Sequence, residues 1–361
     1  MKKIVLALFT MLFLSASIFA QSDLQVLAVV KYNKNESVTV KQLKKRVGSI
    51  EKQFGKSLTV DERKEVLNTL IQEKLVVQAA QKDGLSITDS DLNKFFEASL
   101  SQLVGVPVTE KQFDDIVKER FGVTTDEFFE QNLGFTKKEY KENLKTQLIM
   151  QQYVMYKNQA ELQKVVPTDE QIRMFYEANK SNFIWKDMAK MLIVAVPNGN
   201  DPKAAKIKAT ELRNKYADKK ITAEELKVQS KAKDSGFIAG DGLVEKSQLG
   251  VQQLGIPMES LLGLFSQKIG YVSDVIESSA GYTFISILKK YDAKMLALSD
   301  IMQPETTITV YDYIRAGLTQ QLQAQFLQKK LVELADSLNT SANVEMKKTG
   351  AALDKLLDWG D

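Results

Sequence analysis

Neither cysteine nor histidine occurs anywhere in the 361 residues. Without cysteine there is no disulfide framework, no thiolate zinc site, no thiol nucleophile and no lipid-modified N-terminal cysteine. Without histidine, Ser-His-Asp hydrolysis, His-ligated metals and imidazole general bases are excluded together. A surplus of charge is lacking too: 49 Lys and Arg face 46 Asp and Glu, a net +3. Two of those positive charges, Lys2 and Lys3, lie in a segment expected to be removed, which leaves about +1. So even a balance offers no basic face for nucleic acid. No nucleotide-binding loop is present, and no cofactor is expected. The length favours two domains over one core, and 44% apolar with 26% charged residues is ordinary globular composition.

Long apolar runs are equally scarce. The one near the amino terminus, Ile4 to Leu14, follows Lys2-Lys3 and precedes the small-residue stretch Ser15-Ala16-Ser17-Ile18-Phe19-Ala20. That order is a cleavable export signal over residues 1–20, and the run is too short to span a hydrocarbon layer of roughly 30 Å as a helix. No later run would insert stably in a membrane. An exported, disulfide-free protein is expected in a bacterial periplasm.

Two short β-like runs, Leu27–Val30 and Ser37–Val40, flank the turn-prone Asn33-Lys34-Asn35. A helical region then extends to about residue 180. Its signature is a recurrent Thr-x-x-Glu/Gln/Asp: Thr39/Gln42, Thr59/Glu62, Thr88/Asp91, Thr109/Gln112, Thr124/Glu127, Thr136/Glu139 and Thr168/Gln171. In each, the threonine oxygen can cap free backbone N–H groups while the later side chain reaches back. Val66, Leu67, Leu70, Ile71, Leu75 and Val77 form an apolar stripe too broad for a surface helix. A second stripe runs through Tyr140, Leu144, Leu148 and Met155, widened by Ile149, Tyr153 and Tyr156. Met150, Gln151, Gln152, Tyr153, Met155 and Tyr156 offer either an adaptable binding surface or plain core with a polar exterior.

The texture changes near Phe183. Met188–Val196 reads as a buried strand, Ala204–Tyr216 as a helix and Thr222/Glu225 as a helix start. Glycines at 236, 240, 242, 250 and 255 predict a loop. A short helix follows Pro257, then strands Tyr271–Glu277 and Tyr282–Lys289 about a turn at Ser278–Gly281. Past Pro304 one long helix is expected over Val310–Leu338, with its stripe at Ile314, Leu318, Leu322, Phe326, Leu327, Leu331, Leu334 and Leu338. Such a face must be buried, and the N-terminal helices are the nearest partner. The tail with Leu353, Leu356, Leu357 and Trp359 reads as one more short docking helix. The fold class is thus mainly α with an inserted α+β domain. Helical parts at 21–183 and 295–361 enclose an α+β part at 184–294.

This organisation resembles the SurA and PrsA chaperones, which join a helical chaperone domain to parvulin-type prolyl isomerase domains. The resemblance is carried by Val66–Leu75 with Ala79–Leu85, by Pro167–Ile172 with Phe175-Tyr176, and by Gly270–Ile276 with Gly281–Ile285. Met188–Val194 stands where the family has its A-x-H-I-L-V strand, and Asp234–Ile238 where it has Gly-Gly-Asp-Leu-Gly. Both motif histidines are replaced, the first by Met191 and the second by Thr283. Between Pro257 and Phe265 the chain is one residue longer than usual, so the aromatic pocket position is Ser260 or Leu261.

The resemblance implies a degenerate parvulin site at Met191, Asp234, Met258, Leu261, Phe265 and Thr283. It also implies an ATP-independent periplasmic chaperone for unfolded or nascent outer-membrane and secreted polypeptides, with low or no isomerase turnover. Two other functions remain open: an active parvulin-type prolyl isomerase, and a scaffold with one fixed partner. Whether the long C-terminal helix docks in its own chain or swaps into a homodimer is also open.

Overall fold

The computed structural model describes residues 23–359, so the expected export signal lies outside the described residues. The chain divides into two compact units at Val166/Pro167 and Thr319/Gln320. The first unit is built from both chain ends, and the second is the stretch between them.

In the first unit, strands β1 (Val26–Val30), β2 (Glu36–Thr39) and β9 (Val344–Met346) form an antiparallel sheet with β1 in the middle. Helices α1 (Val40–Phe54), α2 (Val60–Lys82), α3 (Asp89–Val104), α4 (Glu110–Phe121), α5 (Thr125–Leu133), α6 (Lys137–Lys157) and the one-turn α7 (Gln159–Leu162) follow β2. The threonines at 39, 59, 88, 109, 124 and 136 cap α1 to α6, and only Thr88 lacks the full reciprocal pair. Asp91 is one methylene shorter than glutamate and binds the Thr88 hydroxyl at 2.7 Å instead of its backbone N–H.

The helix α2 is central. Leu67, Ile71, Leu75 and Val76 are buried with Leu27, Leu43 and Leu148, and with Ala335 and Leu338 from the far end of the chain. A second core of Phe96, Leu100, Phe113, Val117 and Phe129 holds α3, α4 and α5 together. In α6 the burial follows Leu148, Ile149, Tyr153 and Val154, whereas Met155 and Tyr156 are exposed. Met155 lies about 200° round the helix from Tyr153, on the side away from the core, and Tyr156, on the Tyr153 side, falls in the last turn before α6 ends at Lys157.

The tail helix α14 (Gly350–Leu357) docks into the first core through Leu353 and Leu357. The buried Arg63 of α2 donates to the carbonyls of Leu357 and Trp359 at 2.8 and 2.9 Å. Its guanidinium lies 4.6 Å from the Trp359 ring centre. The last carbonyls of α14 therefore find a cation where the helix dipole favours one.

The second unit holds a four-stranded antiparallel sheet, ordered β5 (Ile238–Glu245), β4 (Met188–Pro197), β7 (Gly281–Tyr291), β6 (Ile276–Glu277). It also holds helices α8 (Asp169–Ala178), α9 (Pro202–Ala217), α10 (Ala223–Gln229), α11 (Gln248–Leu254) and α12 (Met258–Ser266). The expected glycine loop is in part a strand. Gly240 and Gly242 pair with Ile193 and Met191 in an unbroken ladder, because glycine weakens a strand without forbidding one. The expected strand Tyr271–Glu277 shrinks to β6 and a single bridge from Val272 to Ser286. Gly250 sits in α11 where a Cβ would lie 2.0 Å from the Glu245 carbonyl oxygen, so the β5–α11 turn requires glycine there.

Residues 167–183 and 295–319 fall with this sheet, not with the helices. The cause is a separate core in which Val310 and Ile314 pack with Ile172, Tyr176, Phe183 and Leu296. A two-stranded pairing of β3 (Ile184–Trp185) with β8 (Lys294–Met295) adds to it. The long helix α13 (Val310–Leu338) has the expected limits, yet only Leu331, Leu334, Ala335 and Leu338 join the first core. Among the described residues no helix is long and apolar enough to cross a membrane.

Glu305 clasps the 295–309 segment to the sheet. Its carboxylate accepts from Lys190 at 2.8 Å, Lys289 at 3.2 Å and the Tyr291 hydroxyl at 2.5 Å, on a backbone with φ of 68°.

Two outcomes follow from these contacts. Arg63→Ala should lower the urea-unfolding free energy by about 3 kcal/mol, because two helix-end carbonyls lose a buried charged donor. Unchanged midpoint and slope in a urea titration would refute this. The Glu305 carboxyl is lowered from 4.5 to about 2, first by Lys190 and then by Tyr291 and Lys289. A depressed carboxylate stabilises above its unfolded value and loses that contribution as pH falls through the folded value. The Tm advantage of the native chain over Glu305→Gln should therefore be full at pH 6, shrink below pH 4.5 and vanish near pH 2, as scanning calorimetry across that range would record.

Candidate functional site

Because strand side chains alternate, the register of the second unit's sheet sorts its residues onto two faces. Leu192, Val194 and Val196 of β4 and Tyr282 and Phe284 of β7 lie beneath α9 and α10, packed on Ala205, Ala209, Leu212 and Leu226. The opposite face carries Met191, Ile193 and Ala195, paired to Gly242, Gly240 and Ile238 on one side and to Ile287, Ile285 and Thr283 on the other. At its Met191 end, this face is closed by Ile256, Leu261, Leu264 and the half-buried Phe265, next to Ala189, Val244 and Ile285. At its Ala195 end it is open: Ile193, Ala195, Gly240 and Thr283 are half-buried and Ile238 is exposed.

Four of the candidate positions, Met191, Leu261, Phe265 and Thr283, thus belong to this face or the helix on it. Met258 opens α12 and is 37% exposed. Met191 is fully buried and opposite Ile287, four residues along β7 from Thr283. At strand rise that is roughly 13 Å, so the two residues standing for the motif histidines share a face without meeting. Leu261 is buried, whereas Ser260 is exposed, so of the two alternatives only Leu261 reaches the face. Asp234 stands exposed in the turn before β5, where Ser235 makes the closing hydrogen bonds to the carbonyls of Ser230 and Phe237.

No titratable side chain occupies the paired positions of this face between Met191 and Ala195. Its one side-chain polar group there is the Thr283 hydroxyl. Such a surface can hold an apolar segment, and it has no group that could transfer a proton. Ile238, Gly240 and Gly242 escape the sequence reading because 236–242 reads as a loop, and Ile193 and Ala195 because the motif singles out only Met191 on their strand. The signal that could have found them is the alternation Ile238, Gly240, Gly242, Val244, which puts small residues on one face.

The first unit has a polar cleft of about 540 Å³ between α1, α2 and α6, lined by Arg46, Glu73, Lys45, Glu139, Leu70 and Phe135 among others. Its charges are mutually satisfied. Arg46 and Glu73 form a two-pronged pair at 2.9 Å, and Lys45 binds Glu139 at 2.5 Å. The proposed adaptable surface on α6 is split. Tyr153 is buried and donates to Asp83 at 2.7 Å, and its phenol is pushed up by burial and by that carboxylate. Met155 and Tyr156 remain exposed.

No family model matches the chain. A foldase protein PrsA from Clostridium botulinum strain 657 is 24% identical over 265 residues, 70% of this chain and 70% of the relative. One from Clostridium kluyveri is 24% identical over 262 residues, 73% of this chain and 71% of the relative. Among solved structures, a SurA-like chaperone from Campylobacter jejuni overlays with a TM-score of 0.34 at 16% identity, covering 90% of this chain and 99% of that one. PrsA from Bacillus subtilis overlays with a TM-score of 0.26 at 17% identity, covering 94% and 100%. The sequence resemblance to the PrsA foldases thus recurs in an independent comparison, with these relatives matched over more than two thirds of their length.

The buried environment of Met191 gives a test of how far the site has departed from histidine chemistry. Met191→His should cost about 2 kcal/mol at pH 8, since an imidazole there meets only apolar side chains. Burial lowers its pKa, so the cost should grow as pH falls below about 6.5. Urea midpoints at pH 8 and pH 5 would show this; equal stability at both would mean that the imidazole finds a partner or water.

Proposed function

We propose that this protein is an exported chaperone of the foldase type that holds unfolded outer-membrane or secreted polypeptides in the periplasm without ATP. The observation that carries the proposal is the half-open face of Ile193, Ala195, Ile238 and Thr283, apolar and free of titratable groups. It is supported by the relatives named as foldases and by the charge-then-apolar order of residues 2–20. The parvulin-like sheet domain acts in this reading as a peptide-holding surface around Met191, Met258, Leu261, Phe265 and Thr283. Asp234 lies outside it.

Prolyl isomerisation itself needs no proton transfer, only a site that favours the twisted amide over the planar one against a barrier of about 18–20 kcal/mol. An apolar face that binds both forms equally accelerates nothing. For that reason turnover of an Ala-Pro peptide by the full chain is expected close to the uncatalysed rate. Turnover well above that rate would favour the isomerase function. A scaffold with one fixed partner would ignore unrelated unfolded proteins.

The purified chain should suppress aggregation of a urea-unfolded outer-membrane barrel, and of an unrelated unfolded protein, in buffer lacking ATP. Ile238→Glu, at a 66% exposed position that leaves folding intact, should raise the concentration needed by about tenfold, the equivalent of one lost apolar anchor. Absence of suppression by the native chain would sink the chaperone function, and full activity of Ile238→Glu would move the client site elsewhere.

A further inference from the structure

The sheet of the second unit ends on two edges of different kinds. One edge is β6, two residues long and continued only by the Val272–Ser286 bridge. The other is β5, eight residues long and in unbroken register with β4. The Lys246 N–H donates to the Asp187 carbonyl at 2.8 Å, which fixes the phase of that ladder. Val244, Gly242 and Gly240 are then the residues that exchange hydrogen bonds with β4, and the N–H and C=O groups of Asp241 and Leu243 point outward. Among the described residues no backbone or side-chain group pairs with them. Both ends of the edge are closed: the Ser230 hydroxyl reaches the Ala239 carbonyl at 3.4 Å, and the Ser247 N–H reaches the Glu245 carbonyl at 2.8 Å.

Long edges are usually protected by proline, lysine or a bulge. Between Ile238 and Glu245 there is no proline, no lysine and no register shift. The two charges within the strand, Asp241 and Glu245, are held by Lys227 at 2.8 Å and Lys186 at 2.7 Å. On the candidate-site face the edge strand presents Gly240 and Gly242, with half-buried Ile193 alongside and exposed Ile238 at the open end. A strand added here meets bare backbone on that face, which leaves room for its own large side chains.

We infer that the Asp241–Leu243 edge of β5 is a docking edge for an extended segment of unfolded polypeptide, which joins the sheet as a fifth strand. This rests on the client-holding function proposed above and gives it a mode. Donors and acceptors repeating every second residue are the complement of another extended backbone, whatever its sequence. The occupant is a client and not a second copy of the chain, because a glycine-rich strand facing its own copy gains few cross-strand side-chain contacts. A β-branched or aromatic client supplies the missing side chains and continues the apolar face.

The test uses the full chain, isotope-labelled for amide exchange, with a synthetic alternating Val-Thr peptide as probe. Binding should slow exchange at the Asp241 and Leu243 amides by about tenfold or more, and the same peptide N-methylated at alternate residues should fail to do so. Leu243→Pro removes one outward N–H while keeping the β4 ladder, and should weaken peptide binding by about tenfold. If that variant does not fold, the comparison of the two peptides on the native chain still decides. Equal binding of the methylated peptide overturns the inference. So does protection that appears without peptide and rises with protein concentration, which would mean that β5 pairs with itself. Aggregation suppression is measured in parallel. Suppression without edge protection overturns the docking edge and leaves the chaperone function, whereas edge protection without suppression does the reverse.

Discussion

Strand β1 lies between β2 and β9, and this pairing joins residues 26–39 to residues 344–346. Two flanking hydrogen bonds extend it, from Lys31 N–H to the Asn343 carbonyl and from Lys347 N–H to the Leu27 carbonyl, both at 2.8 Å. The β1–β2 turn is held by the buried Gln78, whose Oε1 accepts from the Asn33 N–H at 2.9 Å and, more weakly, from the Lys34 N–H at 3.3 Å. The first unit cannot complete its sheet, or bury Leu338, Leu353 and Leu357, until the last part of the chain is in place. Residues 167–319 are thereby an insertion into the first unit. Contacts of such sequence separation form late, because their loop closure is entropically costly.

Within the insertion the organising element is β4, paired on both sides and covered differently on its two faces. Beneath α9 and α10 the face is closed by Ala205, Ala209, Leu212 and Leu226. On the other side α11 and α12 cover the Met191 end and leave Ile193, Ala195 and Thr283 half-buried. A half-open apolar surface is what a chaperone needs and what a monomeric enzyme ordinarily avoids outside its pocket. A thioether and a lone hydroxyl at Met191 and Thr283, where the resemblance has histidines, would move the balance the same way. They would keep apolar area and discard groups that could discriminate one amide geometry from another.

Much of this was legible before any coordinates. The threonine caps are local, since the Thr oxygen and the side chain three residues on interact within one turn, and at seven of eight predicted starts both bonds form. The limits of α13 follow from an equally local period. The expectations that failed concern partners. β9 is three residues long and has no pattern of its own; it exists because β1 offers an edge. β5 was hidden by its glycines, which signal turns unless a neighbouring strand supplies the pairing. The first turns of α13 bury Val310 and Ile314 against Phe183 and Leu296, a preference set by which core lies nearest, which no periodicity encodes. On the candidate face, Met191, Leu261, Phe265 and Thr283 are positions that the motif resemblance singles out, and Ile193, Ala195 and Ile238 are not.

A docking edge also fits the energetics of holding without ATP. Two residues with outward N–H and C=O groups offer about four main-chain hydrogen bonds, each worth a net ~1 kcal/mol. Ordering four or five client residues costs ~1–2 kcal/mol apiece, which offsets that gain or exceeds it. What remains is apolar contact, at about 25 cal/mol per Å², with a face on which Ile238 and Ile193 are the large exposed or half-exposed side chains. The sum is a weak, sequence-tolerant grip whose strength tracks the apolar content of the client. In the proposed mode, a segment that finds its own strand partner gains more by folding than by staying, so its release would need no nucleotide. The cost falls on the free protein, whose near-neutral charge of +3 gives little long-range repulsion between copies. The shortness of the open stretch, two residues between the closures at Ser230 and Ser247, then limits self-association. The same shortness that keeps the grip reversible keeps the edge from becoming a template for aggregation.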